Sequence, residues 1–294
     1  MSADRIEYVA GEKDAGRQMK SILRRELGLS TSLISRVKLL GDGILLNGVR
    51  AYTNAQIAPG DRISVKIADE PPETPVRMVE HPLDIVFEDE YLVVIDKPAG
   101  MAVHPGALSS DECTVANVLA YHLGESFVFH PVNRLDRGTT GVMAVAKSAY
   151  VHELLKRALH TEGFFREYRA VTAGVPEPAS GVIELPIGRA EGSAIKREVR
   201  TDGDAAKTLY ETLSKRDGRA FVRLLPVTGR THQLRVHMAA IGCPLAGDWL
   251  YGVEDRSLIA RPALHSYLLR LAHPITGETL ELKAPLPEDM RRLI

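Results

Sequence analysis

A proline-rich acidic segment divides this chain into a short N-terminal part and a long C-terminal part. The stretch ADEPPETPV contains three prolines and three acidic residues. Proline cannot continue the interior of a helix, and it cannot donate a hydrogen bond within a central strand. We therefore expect a linker at residues 69–79, between a small domain at 11–68 and a large domain at 80–294.

Composition limits the classes of protein to which the chain can belong. Hydrophobic residues make up 45% of the 294 residues, which is enough for a substantial core. The two cysteines are too few for a disulfide framework and suit a reducing compartment. The N-terminus is polar, and no run of about 18 apolar residues is present. We expect a soluble cytoplasmic protein that does not contact membranes, with a monomer as the default state.

The N-terminal part has the pattern of a small α+β unit. Apolar residues recur at near-helical spacing in RQMKSILRREL, and STSLISRVKLL begins with serines that suit a helix N-cap. These two helices are followed by GILLNGV, a strand that reaches an Asn-Gly hairpin turn. PGDRISVKI then predicts a turn and an alternating strand.

Basic residues are concentrated in this N-terminal unit. Residues 11–50 hold eight Lys/Arg and four acids, although the whole chain has a net charge of −1. A solvated helical face is one explanation, and a phosphate-binding patch is the other. The order of two helices, GILLNG and PGDRISV resembles the S4 RNA-binding domain, whose two helices present basic side chains to RNA. That resemblance implies RNA contacts for Arg17, Lys20, Arg24, Arg25, Arg36 and Lys38.

The C-terminal part is rich in predicted strands. DIVFEDEYLVVIDKPAG predicts two strands, TGVMAVAKS a buried strand, and PITGE the turn of a final hairpin. Further strand candidates are EYRAVTAGV, SGVIELPIG, AKTLYETLSKR and RAFVRLLPVTG. Helices are predicted at 148–163 and in THQLRVHMAAIG, with Thr231 as the N-cap of the latter and Gly242 beyond its end. The predicted fold class is α+β, with a mixed, mostly antiparallel sheet.

One aspartate is well placed to react with a ligand. Asp136, in NRLDRGTTGVMAVA, precedes a turn into the predicted buried strand. A half-buried carboxylate needs a cationic or hydrogen-bonding partner to stay ionised. The adjacent Arg134 and Arg137 would point to opposite faces of an extended segment, so Arg235 in a predicted apolar helix is the better candidate. From these residues alone, an aspartate that bonds local amides in a turn is the simpler interpretation.

Other catalytic patterns are missing from the sequence. His232 and His237 are five residues apart on a predicted helix, whereas helical zinc pairs need a spacing of four. We find no nucleophile elbow, phosphate-binding loop or dinucleotide fingerprint. We expect neither a metal nor an organic cofactor.

Five segments occur in the order seen in the RluA family of pseudouridine synthases. They are VVIDKPAGMAVHPG, NRLDRGTTGVMAVAKS, REYRAVTAGV, GRTHQLRVHMAAIGCPLAGDWLYG and LHSYLLRLAHPITGETLELKAPLPED. The resemblance implies an enzyme that isomerises uridine in RNA by breaking the N1–C1′ bond and forming a C5–C1′ bond. The carboxylate could attack C1′, attack C6 or abstract a sugar proton, and the sequence leaves these routes open.

The resemblance also implies roles for individual residues. Asp136 corresponds to the catalytic aspartate, Tyr168 to the tyrosine that packs against the target base, and Arg235 to the arginine that pairs with the aspartate. Lesser candidates for the substrate pocket are Leu234, Arg134, Asn133, Arg230 and His232. Two positions depart from the family: Asn133 replaces the usual histidine, and Gly138 replaces an aspartate. We expect these changes to affect target choice more than the reaction.

The expected partner is RNA. An S4-like domain accompanies the members of the family that modify large-subunit ribosomal RNA, so the resemblance favours rRNA. A synthase of the same family that acts on tRNA is one alternative. A non-catalytic RNA-binding or ribosome-assembly protein is the other.

Overall fold

The N-terminal unit contains a four-stranded antiparallel sheet and two helices. The computed structural model describes residues 4–105, 112–159, 161 and 163–294. The strands, in the spatial order β1-β4-β2-β3, are β1 (Arg5–Val9), β4 (Arg62–Lys66), β2 (Ile44–Leu46) and β3 (Val49–Arg50). The helices are α1 (Met19–Arg25) and α2 (Thr31–Val37). Because β1 precedes residue 11, the sheet begins earlier than the sequence pattern indicates.

The predicted Asn-Gly turn joins β2 to β3. Asn47 and Gly48 have φ angles of 52° and 83°, the left-handed pair that a tight hairpin turn requires. Asparagine tolerates this conformation and glycine adopts it without a steric cost, so the dipeptide fixes the register of the hairpin.

A ten-stranded mixed sheet forms the large C-terminal part. Its main order is β10-β13-β14-β9-β15-β8-β6-β5, with β16 paired to β15 and β7 paired to β8. Its strands are β5 (Asp84–Glu88), β6 (Leu92–Lys97), β7 (His130–Pro131), β8 (Thr140–Ala146), β9 (Phe164–Thr172), β10 (Ser180–Glu184), β13 (Lys207–Arg216), β14 (Arg219–Pro226), β15 (Leu264–Ala272) and β16 (Thr279–Lys283). Only the pairing of β15 with β8 is parallel among these described strands, which confirms the predicted mostly antiparallel α+β sheet.

A second, two-stranded sheet and four helices complete the C-terminal part. They are β11 (Ile187–Arg189), β12 (Arg197–Val199), α3 (Val115–Leu123), α4 (Ala149–Ala158), α5 (Gln233–Ala240) and α6 (Glu288–Arg291). α3 was not predicted. No helix in the described part of the chain is long and apolar enough to cross a membrane.

Two predicted helix boundaries differ from the observed ones. The prediction of Thr231 as an N-cap is wrong, because α5 starts at Gln233 and His232 occupies the N-cap position in a left-handed conformation. α4 starts where predicted, since the Ser148 hydroxyl accepts a hydrogen bond from the Val151 amide at 3.3 Å. It ends at Ala158, earlier than predicted, and residues 160 and 162 of the predicted helix lie outside the described residues.

The N-terminal unit shares its core with the large sheet. One cluster of buried apolar side chains includes Leu23 and Ile63 from the small unit and Val94 and Leu155 from the large part. The predicted linker has no regular structure, but its first residue is anchored. Asp69 accepts a hydrogen bond from the Ala149 amide at the start of α4, at 3.1 Å. We infer that the small unit is held against α4 by packing as well as by the chain connection.

We predict that Tyr150→Phe destabilises the protein. Tyr150 is buried, and its hydroxyl donates to the Leu27 carbonyl at 2.6 Å, which joins α4 to the end of α1. Removing the donor leaves a buried carbonyl without its partner, at a cost of about 1–3 kcal/mol in the free energy of unfolding. Urea denaturation measures this change. Tyr121→Phe is the control, because Tyr121 is 50% exposed. Equal stability of the two variants would contradict this account of the junction.

Candidate active site

A cleft of about 700 Å³ collects all eight predicted catalytic and pocket residues. They are Asn133, Arg134, Asp136, Tyr168, Arg230, His232, Leu234 and Arg235. They come from three separate parts of the chain: the loop between β7 and β8, strand β9, and α5 with the loop before it. The six predicted RNA-binding residues lie in the N-terminal unit instead.

Asp136 lies in the loop between β7 and β8, with its side chain 28% exposed. The Thr139 amide donates to the Asp136 carbonyl at 3.0 Å, which closes a turn before β8. Asn133 shapes the same loop, because its side-chain oxygen accepts from the Ala144 amide at 2.8 Å. The side-chain amide of Asn133 therefore binds the backbone of β8, and the residue also lines the cleft.

Lys97 connects the Asp136 loop to a neighbouring loop. Its side chain is fully buried, and Nζ donates to the carbonyls of Pro98, Met101 and Arg137 at 2.8, 2.9 and 3.1 Å. Burial, reinforced by the Arg261 charge, lowers the pKa of Lys97 to about 7. Sequence reasoning did not assign Lys97 a role, although it lies in the segment VVIDKPAG. Its three bonds fix the backbone immediately after Asp136.

Arg235 holds the centre of the site. Its Nε and Nη2 donate to the two carboxylate oxygens of Asp248 at 2.7 and 2.8 Å, and Nη1 donates to Asp136 at 3.4 Å. Burial acts to lower the pKa of Arg235, but the hydrogen bonds and charge of Asp248, with the charge of Asp136, raise it overall. Arg137, by contrast, pairs with Glu112. The better partner for Asp136 is therefore Arg235. The other edge of the Arg235 guanidinium is bound by the buried carboxylate of Asp248.

Asp248 and Tyr251 are site residues that sequence reasoning missed. Both lie in GDWLYG, a segment that carried the family resemblance without any residue role. Tyr251 places its ring 5.0 Å from the Arg235 guanidinium, a cation–π contact. Its hydroxyl accepts from the Arg197 amide at 2.9 Å and lies 2.8 Å from Nδ1 of His232.

His232 faces Asp136 from an unusual backbone conformation. Its φ of 58° is rare for a residue with a side chain, and it directs the imidazole Nε2 to 3.9 Å from the Asp136 carboxylate. Burial lowers the pKa of His232, which favours the neutral ring. Because the Tyr251 hydroxyl already accepts one hydrogen bond, we infer that it donates to Nδ1 and leaves the ring hydrogen on Nε2. His232 then directs a neutral N–H towards Asp136, at 3.9 Å and beyond hydrogen-bond distance.

Tyr168 and Leu234 form the apolar part of the cleft. Tyr168 lies on β9, is 7% exposed and hydrogen-bonds Ser266. Burial raises the pKa of Tyr168, so the hydroxyl stays neutral. Leu234, in the first turn of α5, is 6% exposed. A flat aromatic ring and an aliphatic side chain suit the faces of a nucleobase.

The cleft is cationic apart from Asp136. Among its described lining residues, Asp136 is the single carboxylate, and the cations are Arg134, Lys156, Arg166, Arg230 and Arg235. Such a cleft attracts a polyanion and places a single carboxylate, that of Asp136, beside it. No three or more His, Cys, Asp or Glu side chains cluster as metal ligands in the described ranges.

The six predicted RNA-binding residues divide into two groups. Arg17 is paired with Asp14 and Glu26, and Arg36 lies 3.5 Å from Asp69. The other four are exposed, and no carboxylate of the described chain lies within 4.0 Å of their charges; they are Lys20, Arg24, Arg25 and Lys38. Only this second group is free to meet an external anion.

We predict that Asp248→Asn costs about 3–5 kcal/mol in the free energy of unfolding, because it leaves the buried Arg235 charge without its counterion. Urea denaturation provides the measurement. Asp202→Asn is a matched control, since Asp202 makes the same two-bond contact with Arg200 at 2.8 and 2.9 Å on the surface. We expect that control to change stability far less. A loss at Asp248 no larger than at Asp202 would refute the role given to Asp248.

Comparison with known proteins identifies the family of the chain. Residues 91–240, about half of the chain, match the family model described as RNA pseudouridylate synthase. The chain is 38% identical, over 92% of its length and 95% of the relative, to the uncharacterized RNA pseudouridine synthase YjbO of Bacillus subtilis. It is 39% identical to the ribosomal large subunit pseudouridine synthase D of Haemophilus influenzae, over 81% of this chain and 78% of that one.

A solved structure agrees with the sequence relatives. The human RNA pseudouridylate synthase domain containing 4 superposes with a TM-score of 0.56 at 29% identity, over 71% of this chain and 90% of that chain. The family match covers the cleft from the Asp136 loop through α5. This chain belongs to the RluA family of RNA pseudouridine synthases and is an isomerase.

Proposed function

We propose that this protein converts uridine to pseudouridine in large-subunit (23S-type) ribosomal RNA and that Asp136 is the reacting carboxylate. The observation that carries the proposal is the position of Asp136. Among the described residues that line a cationic cleft it is the one carboxylate, and its side chain is 28% exposed. Asp248 is fully buried behind Arg235, so it cannot reach a substrate.

The surrounding residues suit the steps of this reaction. Each of the three possible routes, attack at C1′, attack at C6 or removal of a sugar proton, starts from an ionised and accessible carboxylate. Arg235 Nη1, at 3.4 Å, places a positive charge beside the Asp136 carboxylate. The N1–C1′ bond breaks and the C5–C1′ bond forms within the same nucleotide, and the proton that leaves C5 is balanced by one gained at N1, so no oxidation takes place.

Tyr168 and Leu234 are proposed to hold the uracil. A uridine in RNA must leave its stack to reach Asp136, and stacking on an aromatic ring contributes about 1–3 kcal/mol per base. Tyr168 is the one aromatic residue among tyrosine, phenylalanine and tryptophan in the described lining of the cleft. Arg134, Arg230 and His232 surround the same space and are proposed to contact the nucleotide.

Ribosomal RNA is the proposed substrate for two reasons. Relatives that span most of this chain are named ribosomal large subunit pseudouridine synthase D. The N-terminal unit also carries two helices, an Asn-Gly hairpin and four exposed, unpaired cations, as an S4-like RNA-binding domain would. We propose that this unit, from residues 11–68 with the preceding strand β1, docks RNA and that residues 80–294 carry out catalysis, with 69–79 as the connection.

We predict that Asp136→Asn lowers pseudouridine formation by at least about a thousandfold, the scale expected when a reacting group is removed. RNA affinity should not fall, because the change removes an anion from a cleft lined by cations. The measurement uses the purified variant, an unmodified transcript of large-subunit rRNA, and mass spectrometry of the digested RNA.

The control for this experiment is Asp217→Asn. Asp217 lies in an exposed turn between β13 and β14, with a φ of 49° that asparagine also adopts. That variant should form pseudouridine at the wild-type rate. Wild-type turnover by Asp136→Asn would overturn the assignment of Asp136.

A further inference from the structure

We propose that RNA leaves the cleft across helix α4 and continues onto α1, along a line of cations called here the α4 track. The track consists of Arg166 and Lys156 at the cleft, and Arg25, Arg24 and Lys20 on α1. The proposal rests on the proposed function, because it concerns how the RNA substrate of that cleft is held.

Helix α4 presents three different faces, as the spacing of three and four residues predicts. Its core face is buried, its second face meets the N-terminal unit, and its third face lines the cleft. The core face consists of Val151 and Leu155. The face towards the N-terminal unit consists of Tyr150, Leu154 and Arg157. The cleft face consists of His152 and Lys156, with Leu159 just beyond the end of the helix. One short helix therefore separates the cleft from the N-terminal unit.

The contact between α4 and the N-terminal unit lies at the end of α1. Arg157 donates to the Gly28 carbonyl at 2.8 Å, beside the bond from Tyr150 to the Leu27 carbonyl. Gly28 is so close that an added Cβ would lie 3.0 Å from Leu154, and its φ of 65° already favours glycine. Arg24 lies in the last turn of α1, four residues before Gly28. The cations of α1 and Lys156 therefore lie on two helices whose contact is made at Leu27 and Gly28.

The cations of the track lack carboxylate partners. Lys156, Arg24 and Lys20 are exposed, and in the described ranges no carboxylate lies within 4.0 Å of their charges. Neighbouring cations are already neutralised: Arg17 pairs with Asp14 and Glu26, and Arg157 with Glu153. On a chain with a net charge of −1, a line of unpaired cations beside paired ones indicates a surface for an extended anion.

Arg166 shows where the track enters the cleft. It lies two residues before Tyr168 on β9, so both side chains are on the same side of the strand. Nη2 donates to the Pro226 carbonyl at 3.3 Å, but the buried Nε has no acceptor among the described residues. The buried Nε is closed to an external group, but Arg166 lines the cleft, and a phosphate oxygen is a strong acceptor for a guanidinium. We assign this position to a phosphate close to the target nucleotide.

RNA is the occupant that fits both ends of the track. The target nucleotide sits in the cleft, so the rest of the strand has to leave it, and α4 offers a cationic exit towards a unit with further free cations. A strand that follows this path places phosphates against Lys156 and Arg24. Each phosphate neutralised by a cation releases counterions, so each contact adds to the salt dependence of binding.

The test measures the affinity of Lys156→Gln, Arg24→Gln and the double variant for an unmodified transcript of large-subunit rRNA. Raising the salt concentration from about 50 to about 200 mM weakens binding about threefold for each phosphate contact. Over that range, the factor by which affinity falls should therefore be about threefold smaller for each single variant than for wild type. For the double variant, the factor by which affinity falls should be about tenfold smaller than for wild type. Lys215→Gln is the control with the same charge change. Lys215 pairs with Ala220 near the turn of the β13–β14 hairpin, at the far end of the hairpin from Pro226 and the cleft.

The outcomes separate this proposal from the proposed reaction. Wild-type affinity and salt dependence for Lys156→Gln would overturn the track, and so would an equal effect of Lys215→Gln, which would indicate diffuse attraction. Pseudouridine in the same transcript is measured separately by mass spectrometry. If Lys156→Gln changes the salt dependence of binding but wild type forms no pseudouridine, the proposed reaction is refuted and the track stands. If wild type forms pseudouridine but Lys156→Gln leaves the salt dependence unchanged, the track is refuted and the reaction stands.

Discussion

The site depends on one guanidinium that is shared unequally between two carboxylates. Arg235 makes two short bonds to the buried Asp248 and one longer bond, 3.4 Å, to Asp136. Asp248 fixes the plane of the guanidinium, because a bidentate contact leaves it no rotational freedom. The remaining Nη1 places a positive charge beside Asp136, whose carboxylate stays 28% exposed and open to the cleft.

The fold supplies this geometry from positions that are far apart in the sequence. Asp136 and Arg235 are 99 residues apart, and Asp248 is 13 further on. Two hydrogen bonds hold the loop that carries Asp136. The Asn133 side-chain oxygen accepts from the Ala144 amide of β8, and Lys97 Nζ donates to the Arg137 carbonyl. His232, in a strained left-handed conformation, and Tyr251 complete the ring of contacts around Arg235. Strain at this position is tolerated because Gln233, the next residue, is fixed by four hydrogen bonds to its side chain.

Much of the fold follows from local sequence patterns, but the site does so only in part. Alternation and turn residues predicted the strands around β8 and the Asn47-Gly48 hairpin, because those signals are local. Thr231 was predicted as the N-cap because it is a better capping residue than histidine, but the contacts of His232 with Tyr251 and Asp136 override that preference. Asp248 and Lys97 were missed because their roles arise from burial and from partners distant in sequence. The anchoring of Asp69 was missed for the same reason, since the prolines and acidic residues of this segment predict a linker but not its contacts.

The most direct test of the central claim is a pseudouridine map of total RNA from a strain that lacks this protein, complemented with either wild type or Asp136→Asn. The account predicts that one or more pseudouridines disappear from large-subunit rRNA, return with the wild-type protein and do not return with the variant. An unchanged rRNA map, or full restoration by Asp136→Asn, would contradict it. Loss confined to tRNA would contradict the proposed substrate while leaving the chemistry of the family in place.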